Sequence, residues 1–260
     1  MTAVRKPIEN LRFEIIPGIP LITPGEALSE ILFDAITDAG LSLVNGDVVV
    51  VAQKIVSKAE GRQVALVSVT PSAEAHRLAV ATDKEPALCQ LILDESVAVL
   101  REKPGVIIVR HRLGMVGANA GIDQSNIEHD DGGSALLLPV DPDASARRLC
   151  DDFGAACGQH VGVIISDSMN RPWRLGTIGG AIGCAGVQVL DDLRGGEDLF
   201  GRELKVAMVN RADSLAATAT LLMGETVERS PAVLIRGLPA IESTECARDI
   251  VRPPADDLFK

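Results

Sequence analysis

Short runs of apolar, mostly β-branched residues recur along the chain: DVVVVAQ (47–53), VIIVR (106–110), VGVIIS (161–166), LKVAMVN (204–210) and AVLIR (232–236). Each is bounded by Gly, Pro, Asp or Asn, a pattern that predicts buried strands. Helical spacing lies between several of them. In DPDASARRLCDDFGAACG the apolar Ala146, Leu149, Cys150, Phe153, Ala156 and Cys157 share one helical face, and Gly158 supplies the stop. RADSLAATATLLMG repeats the pattern with Leu215, Ala216, Ala219, Leu222 and Met223, and PGEALSEILFDAITDAG predicts a third helix near the start. Strands alternating with helices predict an α/β, mixed α+β architecture. No repeat, linker or composition shift divides the chain, so residues 1–260 read as one module, with room for two intertwined subdomains. The glycine-rich GTIGGAIGCAGVQVL (176–190) is too apolar for a flexible linker and predicts close backbone packing in a core or interface.

The composition narrows the possible partners. Of 260 residues 47% are hydrophobic, yet only five Phe and one Trp are aromatic and there is no Tyr, so aliphatic side chains must fill the core. Too few rings remain for a base-stacking surface. With 25 Lys and Arg against 36 Asp and Glu the net charge is −11, a field that repels nucleic acid and anionic lipid. A small anionic ligand would need local Lys and Arg, or bound cations, to overcome that field. Five scattered cysteines without a CxxC spacing predict reduced thiols, with Cys150 and Cys157 packed in the core. MTAVRKPIENLRFEII lacks the apolar stretch of a signal peptide, and no apolar run reaches membrane-spanning length, so a cytoplasmic protein is expected.

Four stretches carry candidate chemistry. SDSMNRPWR (166–174) follows the apolar run Val161–Ile165 and puts Asp167 and Ser168 at a strand's carboxyl end, where open α/β sheets bind ligands. Such oxygens suit Mg²⁺ or Mn²⁺, and Arg171 and Arg174 offer planar forks for phosphate or carboxylate. A plain strand-end turn fits the same residues. GANAGIDQSN (117–126) offers Asp123, with Ser125 and Asn126 beside it, as a second carboxylate, although Asp-x-Ser-Asn is also an ordinary polar turn. QKIVSKAEGR (53–62) gathers Lys54, Ser57, Lys58 and Arg62, either a solvated basic loop or a polyphosphate site. It lacks both GxxxxGK[ST] and GxGxxG, so neither a P-loop nor a Rossmann fold is expected. GETVERSP (224–231) places Glu225 after a helix-ending glycine, as a third metal carboxylate or a solvated side chain. His76, His111, His129 and His160 form no metal spacing; His111 reads as a partly exposed structural residue, with contact to a ligand as the alternative. Ser168 has no GxSxG elbow, which argues against acyl-enzyme chemistry. Together these residues suit phosphoryl transfer onto an anionic acceptor.

The same segments, in order, resemble the coenzyme F420-0:L-glutamate ligase (γ-glutamyl ligase) family. GDVVVVAQKIVSKAEGR, HRLGMVGANAGIDQSN, VIISDSMNRPWRLGTIGGAIGCAG and ARDIVRPPADDLF carry the likeness, which is nearly full length. The resemblance implies that GTP drives the joining of L-glutamate, through its α-amine, to the carboxylate of F420-0 by way of an acyl phosphate. It implies Mg²⁺ or Mn²⁺, with K⁺ as a further candidate ion. Ile19, Pro20, Leu21, Ile22, Gln53, Lys54, Lys58 and Asn126 would contact the nucleotide. Asp123 and Asp167 would be catalytic and hold metal, with Ser168 and Glu225 completing the metal positions. Relatives often have Gln at the position of Glu225 and Gly at that of Asn170, where Asn would tolerate a positive φ better than most residues. The segment TIGGAIG is less polar than in many relatives. An unusual mixed α/β fold, a homodimer and the form without a C-terminal nitroreductase-like domain are expected.

Overall fold

The computed structural model describes residues 8–129, 131–170 and 172–258. In chain order, β1 (Arg12–Ile15) leads to α1 (Leu28–Asp38), β2 (Val48–Ala52), α2 (Gln53–Ala59) and β3 (Gln63–Ala65). Next come α3 (Ala73–Thr82), α4 (Pro86–Asp94), β4 (Ser96–Lys103), β5 (Val106–His111), β6 (Val116–Ala118) and β7 (Ser134–Leu136). The remainder comprises α5 (Pro142–Cys157), β8 (Gly162–Met169), β9 (Ile178–Ala185), β10 (Leu190–Asp192), β11 (Met208–Asn210), α6 (Arg211–Met223) and β12 (Ala232–Arg236). This is the expected mixed α/β architecture.

Five strands form the central sheet in the order β1-β12-β2-β8-β9, and only β2 and β8 run parallel. β2, β12 and the first part of β8 are apolar on both faces because both are covered. Val49, Val51, Val163, Ile165 and Leu234 turn to one side and pack with Leu32 of α1, Ile55 of α2 and Phe153 of α5. Val48, Val50, Ile164, Val233 and Ile235 turn to the other and meet Leu215, Ala216 and Ala219 of α6. Asp141 caps α5 by accepting from Ala144 N, and Gly158 ends that helix at φ +68°. Asn210 caps α6 in the same way. Cys150 and Cys157 pack against the first core as expected.

A second layer surrounds Leu78, Ile92, Ile107 and Val109, formed by α3, α4 and the sheet β4-β5-β6. The buried Glu95 ties this layer to the segment after α2 and to the β5–β6 turn. It accepts from Arg62 Nη2 at 3.0 Å and Arg112 Nε at 2.9 Å. His111 is 2% exposed rather than partly open. Leu113 N donates to its Nδ1, which leaves the proton on Nε2, 3.4 Å from Glu95.

The glycine-rich stretch forms the edge strand β9, inside the core rather than in a loop. A Cβ added at Gly179 would fall on Ala216 O and Thr220 Oγ1 of α6, and one at Gly183 on Pro142 O of α5. Both helices therefore lie directly against the strand. The outward backbone N–H groups of β9 are taken by aspartates in the first turns of those helices. Ala181 N donates to Asp213 at 2.8 Å and Cys184 N to Asp143 at 2.9 Å.

Two strands differ from their expected limits. β8 continues through Asp167 and Ser168 to Met169 because β9 keeps pairing with it. Asp167 faces Gly180, Ser168 faces Gly179 and Met169 faces Ile178. The run 204–210 keeps only Met208–Asn210 as strand, paired with β10. The ribbon that joins these two strands leaves Leu199, Phe200 and Val206 exposed. No helix among the described residues is long and apolar enough to cross a membrane.

Candidate active site

The parallel pair β2 and β8 defines where the candidate residues meet. Ala52 lies opposite Ser166, so Gln53 and Asp167 leave the register at the same end of the sheet. Val51 lies opposite Ala232, which brings the 224–231 loop to that end, before β12. Ile15 lies opposite Val233, so residues 16–22 leave β1 there as well. The carboxyl ends of the parallel strands are the expected position for a ligand in such a sheet.

The basic run 53–62 is not a loop. Its first seven residues form α2, and the helical period sorts the side chains. Lys54 and Lys58 stand one turn apart. Lys54 Nζ is 2.7 Å from Asp123 Oδ2 and 3.3 Å from Ser125 Oγ. Lys58 Nζ donates to Asn126 O at 2.8 Å. Burial, then the charge of Lys54, lowers the Lys58 ammonium below its usual range, with Glu128 opposing. Ser57 is buried and donates to Gln53 Oε1 at 2.9 Å, while Gln53 Nε2 is buried without a partner among the described residues. Arg62 turns away from the lysines to Leu138 O and Glu95, so it belongs to the second layer and not to the site.

Asp123 is fixed by its backbone, which exchanges both hydrogen bonds with Leu136. Its carboxylate also accepts from Ser125 N at 2.8 Å and Ser125 Oγ at 2.7 Å. Burial pushes this carboxyl up, but the hydrogen bonds from Lys54 and Ser125 outweigh it and the net shift is downward. Asn126 adopts φ +57° and donates through Nδ2 to Thr226 O at 3.1 Å, joining this loop to the one after α6. The Thr226 carbonyl has no signature in the sequence, because any residue could supply it.

Asp167 and Ser168 lie within β8 and point to opposite faces of the sheet. Ser168 Oγ donates to both oxygens of Glu225, at 2.7 and 2.8 Å. Asp167 is raised to about 7: burial contributes most, and the charges of Asp123 and Glu225 add to it, against Ser168 N and Lys54. Asp123, Asp167 and Glu225 therefore share one electrostatic site. All the candidate donors are hard oxygens, which fit Mg²⁺ or Mn²⁺ rather than a soft metal. They do not form a compact group of three or more acidic, His or Cys ligands among the described residues.

The other candidates divide. Ile19 and Ile22 are buried in the core, while Pro20 and Leu21 are exposed at the same end of the sheet. Arg174 is exposed, and Arg171 lies outside the described residues. Asn170 does not take a positive φ; Trp173 does, at +59°. The expected left-handed turn residue is thus displaced along the segment.

Sequence comparisons point to one family. The family model described as F420-0:Gamma-glutamyl ligase matches residues 18–237. A protein named coenzyme F420:L-glutamate ligase from Methanopyrus kandleri is 43% identical over 257 residues, covering 97% of this chain and 99% of its own. Its namesake from Methanothermobacter thermautotrophicus is 41% identical, covering 94% and 97%. That from Archaeoglobus fulgidus is 40% identical, covering 96% and 97%. With most of its length matched and its candidate residues gathered at one end of the sheet, the chain belongs to the F420-0:γ-glutamyl ligase family.

Proposed function

We propose that the protein joins L-glutamate to coenzyme F420-0 at the expense of GTP, through an acyl phosphate. The observation that carries this reading is the ion pair of Lys54 with Asp123 at the carboxyl end of β2, where Asp167 leaves the part of β8 paired with β2, in a chain of this family. The lysines supply the local positive charge that a polyphosphate needs on a chain of net charge −11. Gln53, Asn126 and the exposed Pro20 and Leu21 border the same region as nucleotide contacts, with Ile19 and Ile22 supporting them from the core.

Asp123, Asp167, Ser168 and Glu225 are the residues that would hold a divalent cation. Bound there, the cation would neutralise charge on the phosphate oxygens. Lys54 orients the γ-phosphate and Lys58 steadies the Asn126 loop. An acceptor carboxylate oxygen attacks the γ-phosphorus and GDP leaves. The unprotonated α-amine of glutamate then attacks the acyl carbon, phosphate departs with that former carboxylate oxygen, and the proton lost from nitrogen goes to the phosphate.

The test follows from the atom balance. With GTP, Mn²⁺, glutamate and F420-0 labelled with ¹⁸O in its carboxylate, the released phosphate should carry label and the acceptor should gain a glutamyl mass. Product without labelled phosphate would remove the acyl phosphate. Absence of product with every divalent ion tried would remove the ligase reading. A homodimer is part of the proposal, supported by the apolar Leu199, Phe200 and Val206 exposed on the β10–β11 ribbon. Light scattering on the intact protein measures it.

A further inference from the structure

A cavity of about 270 Å³ opens beside the edge strand β9. Met169, Ala181 and Ile182 supply apolar lining, and Arg110, Arg248 and Arg252 also face it. Met169 follows Asp167 by two residues on β8, so it shares that residue's face of the sheet, about 7 Å along the strand.

The segment after Ala247 forms one wall, and it is firmly tied. Ala247 N donates to Asp143 at 2.8 Å, Arg248 pairs with Asp141 at 2.9 Å, and Arg110 pairs with Asp257 at 3.1 Å. Arg252 differs from its neighbours. It lines the cavity but forms no hydrogen bond or ion pair with a described residue. Asp213 lines the cavity as well, with its carboxylate held by Ala181 N and Asn210 Nδ2.

The space lies at the small end of ligand pockets, which run to roughly 300–1,000 Å³. It suits a single amino acid. A free guanidinium offers a fork for a carboxylate, Asp213 offers an acceptor for an ammonium, and the apolar lining suits methylene groups. We propose that this cavity is the subsite for the amino-acid substrate, with Arg252 holding a glutamate carboxylate. The assignment rests on the ligase reading above.

Steady-state kinetics of Arg252→Ala, Arg252→Lys and Val116→Trp test it. Val116 is 43% exposed at the cavity, so a larger side chain there can block the mouth without entering the core. Loss of the charged contact should raise the glutamate KM by about tenfold or more, with the KM for GTP unchanged within about twofold. Arg252→Lys should recover part of the loss, and Val116→Trp should raise the glutamate KM in the same way. An unchanged glutamate KM in Arg252→Ala and Val116→Trp overturns the assignment. So does a rise confined to the F420-0 KM. The wild type separates the two failures, because a wild-type enzyme that forms no product refutes the ligase reading itself.

Discussion

Lys54 Nζ lies 2.7 Å from Asp123 Oδ2, so the helix that follows β2 is joined by charge to the loop held on β7. Each side chain is about a quarter exposed, which leaves the ammonium free to turn toward an incoming phosphate. Lys54→Ala should lower kcat by about 10²-fold, as for loss of one preorganised cationic donor. Circular dichroism should be unchanged, and single-turnover kinetics would locate the loss in the phosphoryl step.

Asp167 gives a prediction in which stability and activity move in opposite directions. Its folded pKa of about 7 lies above the ordinary 3.8, so the protonated carboxyl supports the metal-free fold at low pH. That support is lost as pH rises through about 7. In EDTA, Asp167→Asn should therefore melt higher than the wild type at pH 8, while losing turnover with any divalent ion. Calorimetry at pH 5 and 8 checks the sign.

Glu95 behaves in the opposite sense. Burial would raise it, but His111, Arg112 and Arg62 together hold it at about 2, against an ordinary 4.5. Its contribution is present above 4.5 and is lost as pH falls from there to about 2. Glu95→Gln should cost about 3 kcal/mol at pH 7 by leaving partly buried arginines unpaired, read from urea unfolding.

Gly183→Ala tests the packing of β9. The added methyl would meet the Pro142 carbonyl, a backbone atom that cannot move aside alone. The expected loss is about 2 kcal/mol or more in chemical denaturation.

Glu225→Gln should retain activity within about fivefold, because the amide oxygen can still accept from Ser168 Oγ. Glu225→Ala should lose more, and the gap between the two variants in initial-rate assays measures what that oxygen does.

Much of this was legible in the sequence for definite reasons. VVVVA and VGVII are apolar throughout, and only a strand covered on both faces needs that. The helices 142–157 and 211–223 carried their apolar spacing and glycine stops in plain view. The limits of β8 were not legible, because polar Asp167 and Ser168 look like a strand end until β9 is known to pair with them. Helix α2 was hidden by its charges: Lys54 and Lys58 face the site, whereas Arg62, past the end of the helix, serves Glu95. The left-handed residue of this turn is Trp173 and not Asn170, since local composition does not fix which residue of a turn reverses.

The aspartates on β9 have a consequence for assembly. Asp143 and Asp213 occupy hydrogen-bonding groups that another strand would need in order to extend the central sheet. The sheet is thus closed to growth at that border by carboxylates, themselves engaged with backbone N–H groups. Growth of the central sheet by another strand is left to its opposite border, β1.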